Sequence, residues 1–93
     1  MITFAKKYLP MRYIKDIPNQ HFKISIYQWN NKYIIKIETG MFEQTYKIEE
    51  YEIANVEEIE KSMDIEFLEK VSARFSGMQD DFANTLHRND VIF

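Results

Sequence analysis

The residue types that do chemistry are present in this chain, but not at spacings that assemble a site. His21 and His87 stand far apart and form neither an H-E-x-x-H pair nor another ligand spacing. His87, near the end of a helical pattern, has a sufficient role as a cation at the negative end of a helix dipole. Ser25, Ser62, Ser72 and Ser76 fall in ordinary strand or helix patterns, with no nucleophile elbow around them. Glu49, Glu50, Glu52, Glu57 and Glu58 gather acidity that would attract a divalent cation, yet lack the alternating pattern of a calcium loop. They read as a solvated face. The only glycines are Gly40 and Gly77, which rules out a glycine-rich phosphate loop, and without cysteine there is no thiol nucleophile or disulfide. No catalytic, metal-binding or cofactor-binding residue is expected.

What remains is a surface, and it depends on how His21–Ile48 folds. Phe22, Ile24 and Ile26 alternate with Lys23, Ser25 and Tyr27, and the period of two resumes after Asn30-Asn31 with Tyr33, Ile35 and Ile37. Such alternation describes strands with one buried and one wet face. A two-residue turn at Asn30-Asn31 pairs Ile26 with Ile35, Ile24 with Ile37, Tyr27 with Ile34 and Lys23 with Glu38. A second turn at Thr39-Gly40 pairs Ile37 with Phe42, Tyr33 with Tyr46 and Lys36 with Glu43. The expectation is a three-stranded antiparallel meander over residues 21–48. Its buried face would be built from Phe22, Ile24, Ile26, Ile35, Ile37 and Phe42.

The other face then displays a candidate interaction surface of Lys23, Tyr27, Trp29, Lys32, Ile34 and Lys36. Aromatic and apolar residues rimmed by lysines on a wet sheet face suggest binding. The competing expectation is that residues 1–20 fold over this face and make a second small core. That segment reads as a short helix or irregular cover. Thr3 is a cap candidate, Phe4 and Tyr8 are one turn apart, and Pro10 is a stop; Tyr13, Ile14 and Ile17 follow in a strand or irregular stretch.

Two helices follow the sheet. Asn55 with Glu58 three residues later makes a capping-box pattern for a short helix over 55–63. Asp64 caps a longer one, where Ile65, Leu68, Val71, Phe75, Met78, Phe82 and Leu86 form a continuous stripe over 65–88. Ser76-Gly77 is its weak point. The 24 residues make about 36 Å of helix, against about 27–30 Å for the strands, so the last turns should overhang. The overhang needs another cover, from the N-terminal segment or from a second copy; in the second case Phe82, Leu86, Val91, Ile92 and Phe93 are candidate dimer contacts, the last three in a tail over 89–93.

The fold class expected is α+β, a single domain over 1–93 with both helices on one sheet face. Residues 1–36 carry a charge of +6 and residues 37–70 one of −8. This asymmetry either marks a binding surface or is self-complementary within the fold. The longest apolar runs, about three residues, fall far short of the roughly 20 that span a membrane, and a cytoplasmic location is the default. The first functional expectation is a non-catalytic protein-interaction domain that binds a protein partner or itself. Single-stranded nucleic-acid binding through the lysine and aromatic face is the alternative. It is opposed by a sequence pI near 5.3. An enzyme ranks third.

Overall fold

A computed structural model of the chain describes residues 11–91. The expected helix around Thr3, Phe4 and Tyr8, and the contacts of Ile92 and Phe93, lie outside those residues. Strands β1 (Arg12–Ile17), β2 (Lys23–Trp29), β3 (Lys32–Thr39) and β4 (Phe42–Glu49) form one antiparallel sheet in the order β1-β2-β3-β4. A 3₁₀ turn at Glu50–Glu52 leads to helices α1 (Val56–Ser62) and α2 (Ile65–Arg88). The architecture is α+β, with four strands rather than three.

The first hairpin takes the expected register, with Ile24 opposite Ile37, Ile26 opposite Ile35 and Lys23 opposite Glu38. Asn30 and Asn31 both adopt left-handed φ, 55° and 61°. Asparagine tolerates that region better than most residues, and two such dihedrals match the twist of the flanking strands.

The second hairpin corrects the expectation by two residues. Its loop is Gly40-Met41, with Thr39 opposite Phe42 and Ile37 opposite Gln44. Gly40 takes φ 55°, whereas Met41 does not enter the left-handed region. A loop at Thr39-Gly40 would require β-branched Thr39 to adopt the strained dihedral that glycine accepts freely. Because the slip is two residues, every side chain keeps its face. The cross-strand partners change nonetheless. Lys36 faces Thr45 instead of Glu43, and Glu38 faces Glu43.

Residues 12–17 form edge strand β1, the strand alternative for Tyr13, Ile14 and Ile17, and its pairing with β2 corrects the three-stranded sheet to four strands. The pairing shifts between Tyr13 and Lys15, where Ile14 is an extra residue. Such a bulge places consecutive side chains on one face and breaks the period-two pattern by which strands are recognised. Ile14 packs towards the core, and adjacent Lys15 reaches Glu60 of α1 at 2.8 Å. That hydrogen bond and the Glu60 charge raise Lys15 above the ordinary lysine range.

Both helices cover the sheet face carrying Ile17, Ile24, Ile26, Ile35 and Ile37, and these bury together with Ile59, Val71 and Phe75. Asn55 accepts from the Glu58 amide at 3.2 Å, and Asp64 accepts from the Phe67 amide at 2.9 Å. Each cap satisfies an amide that the first helical turn leaves unpaired. Glu58 reaches back to the amide of Ala54, one residue before the cap. Gln44, almost fully buried, donates to the Val71 carbonyl at 3.0 Å and accepts the Tyr46 hydroxyl at 2.6 Å. This fixes the helix at one height above β4.

Helix α2 runs unbroken through Ser76-Gly77. Apart from its chain neighbours and the helix's own backbone, nothing lies within 4 Å of the position a Gly77 Cβ would take. Gly77→Ala should therefore raise stability by up to about 1 kcal/mol in chemical denaturation, since only the helix cost of glycine is removed. Ile26→Ala, at a fully buried position, should lower it by about 2–5 kcal/mol. An unchanged midpoint for Ile26→Ala would mean that the core does not close here.

Candidate functional site

The sheet face opposite the helices is fixed by the pleat. It carries Lys23, Ser25, Tyr27 and Trp29 from β2, with Lys32, Ile34, Lys36 and Glu38 from β3. Strand β1 adds Tyr13 and Asp16, while β4 adds Glu43, Thr45, Lys47 and Glu49. Lys23 is exposed at the start of β2 and Trp29 is 44% exposed beside the Asn30-Asn31 turn. Tyr27 is half-buried, and the Lys36 ammonium sits over its ring, 5.4 Å from the centroid.

Ile34 departs from expectation. It is only 2% exposed, so it is not presented to a partner. Ser25 is likewise buried, and its hydroxyl has no hydrogen-bond partner. The middle of the face is thus closed, and its accessible part is an aromatic rim towards the Asn30-Asn31 end.

Tyr13 completes that rim and was not among the residues singled out from sequence. Its ring meets Tyr27 edge to face, with centroids 5.8 Å apart. Tyr13 remains 55% exposed. The bulge hid it, because no alternation identifies which face Tyr13 takes. Desolvation, followed by the neighbouring Asp16 carboxylate, raises its phenol above the usual range.

Charge on this face is balanced. Lys32 pairs with Glu49 at 3.5 Å, and Lys23 stands opposite Glu38. Among the described residues, four lysines, at 23, 32, 36 and 47, share the face with Asp16, Glu38, Glu43 and Glu49. The basic early segment also meets the acidic later one elsewhere. Lys15 bonds Glu60, and Arg12 donates to Gln28, which in turn donates to Glu50. These contacts support the self-complementary reading of the charge asymmetry.

The other residues with chemical potential remain apart. A depression of about 600 Å³ beside the start of α2 gathers Asn19, His21, Thr39, Glu69 and Ser72. The Asn19 side chain is occupied there, accepting the amides of His21 and Phe22 at 2.9 and 3.0 Å. Among the described residues, His21 makes no hydrogen bond to Ser72 or Glu69. A nucleophile and its base would need such contact. Among the same residues, no group of three His, Cys, Asp or Glu converges to hold a metal, and no helix is long and apolar enough to cross a membrane.

Of the expected dimer contacts, Phe82 is 54% exposed and Val91 62% exposed, while Leu86 is half-buried. Phe82 meets Phe42 edge to face at 6.2 Å, at the last residue pair of the β3–β4 hairpin. No protein-family model, curated protein or solved structure matches the chain.

Ultraviolet titration of the phenols should show a component above the ordinary tyrosine value of about 10 that disappears in Tyr13→Phe. A folded-state value raised in this way contributes stability fully present below the ordinary value and lost as pH climbs through the raised one. Persistence of the late component in Tyr13→Phe would assign it to another residue.

Proposed function

We propose that this chain is a non-catalytic protein-interaction domain that engages a protein partner through the Tyr13, Tyr27, Trp29 and Lys36 rim of its outer sheet face. The observation carrying this reading is an exposed aromatic rim on a face whose charges cancel. Tryptophan and tyrosine supply large, rigid contact area and are enriched among residues that dominate interface energies. A surface built for phosphates would carry an excess of lysine and arginine, because neutralising the backbone is the main source of that affinity. Here, among the described residues of the face, acidic side chains match the lysines one for one.

One feature favours the nucleic-acid alternative. Tyr27 and Tyr13 with an adjacent ammonium could stack a base and contact a phosphate. Trp29, the only tryptophan, distinguishes the two. Its emission should be unaffected by single-stranded oligonucleotides at low salt, and a cross-linker placed at Tyr13 should capture a protein from native cells. Capture should fall at least about 30-fold with Trp29→Ala if this residue is a hot spot. Salt-sensitive quenching by oligonucleotides would transfer the face to nucleic acid instead.

A further inference from the structure

The C-terminal half of α2 is built as though something covers it. The helix is about 36 Å long and an eight-residue strand is about 27 Å. Phe82 touches Phe42 at the end of β4, and the helix continues for six further residues to Arg88. The radius of gyration is 16.6 Å, against about 12 Å for a compact domain of this length.

The apolar stripe does not stop where the sheet does. Met78, Phe82 and Leu86 continue it, and the helix end adds Val91. Asp90 takes φ 56°, its amide bonds the His87 carbonyl at 3.1 Å, and the Val91 amide bonds the Leu86 carbonyl at 2.9 Å. This is a Schellman cap, which brings the residue after the left-handed one back towards the Leu86 turn. The chain therefore presents Phe82, Leu86 and Val91 in a row that begins at Met78, itself half-buried against the core, with Phe82 and Val91 more than half exposed.

The charges beside the row indicate what covers it. Asp81 and Arg88 are exposed and seven residues apart, which places them on the same flank of the helix. We propose that this segment pairs antiparallel with the same segment of a second copy, about a two-fold axis between Asn84 and Thr85. Phe82 then packs against the partner's Leu86, and Met78 against the partner's Val91. Arg88 lies directly across from the partner's Asp81, and symmetry makes each contact twice.

Other self-pairings fare worse. Moving the axis to Phe82 brings Arg88 within two residues of the partner's Arg74 on the same flank. Like charges so close disfavour that register. A parallel pair carries the Asp81–Arg88 flanks of the two copies to opposite sides of the seam, so the contact between Arg88 and the partner's Asp81 is lost. The overlap spans about four turns, which places the interface at the small end of specific ones, where weak and transient association is usual.

This surface is separate from the Trp29 face, so either reading can fail without the other. Sedimentation of the full chain from about 1 µM to about 1 mM should show a monomer–dimer equilibrium. Phe82→Asp should weaken it at least about 30-fold. If that variant perturbs the contact with Phe42 and the fold, Leu86→Asn provides the same loss without touching the sheet. Arg88→Asp should weaken association about 5-fold, and adding Asp81→Arg to the same chain should restore it. A monomer across the whole range would overturn the proposal, as would a dimer indifferent to Phe82 and Leu86. A charge swap that fails to restore association would overturn the register.

Discussion

Two consecutive asparagines in left-handed conformation are the constraint on which the sheet depends. With Asn30 and Asn31 both at positive φ, β2 and β3 can pair only so that Ile24 meets Ile37 and Ile26 meets Ile35. Four isoleucines thereby form a continuous apolar floor, each of them buried. The helices are placed by that floor. Ile59, Val71 and Phe75 descend onto it, and Gln44 locks the second turn of α2 through the Val71 carbonyl. A one-residue slip in that pairing would turn one strand's isoleucines out of the floor and its lysines towards the helices.

Much of this was legible because local and global signals agree. The Asn30-Asn31 turn, the Asn55 and Asp64 caps and the 65–88 stripe each follow from short-range chemistry that packing then reinforces. For the second turn one glycine is compatible with two loops, Thr39-Gly40, which would also pair Lys36 with Glu43, and Gly40-Met41, which spares Thr39 a left-handed dihedral. Stereochemistry prevailed: exposed ion pairs contribute little, whereas a β-branched residue at positive φ is strained. Strand β1 was harder to read. A bulge at Ile14 destroys the alternation by which a strand announces itself, and Tyr13 was lost with it.

The outer face shows the limit of face assignment from periodicity. Alternation correctly places Tyr27, Trp29, Ile34 and Lys36 on one side of the sheet. It carries no information about how deep a side chain lies among its neighbours. Ile34 and Ser25 occupy the middle of the sheet and are closed off, while Tyr13 and Trp29 lie nearer its margins and stay accessible. Exposure here depends on position within the sheet as much as on polarity.

The bulge in β1 has a consequence for solubility. An edge strand offers unpaired amides and carbonyls to any extended peptide, the usual starting point for strand-by-strand aggregation. Here the edge is six residues long, interrupted at Ile14, and followed at once by Pro18, which has no amide to donate. Lys15 adds a charge directed inward, held by Glu60. The opposite edge, β4, alternates Glu43, Lys47 and Glu49 along its outer side. Among the described residues, both margins of the sheet thus carry features that oppose strand-by-strand templating.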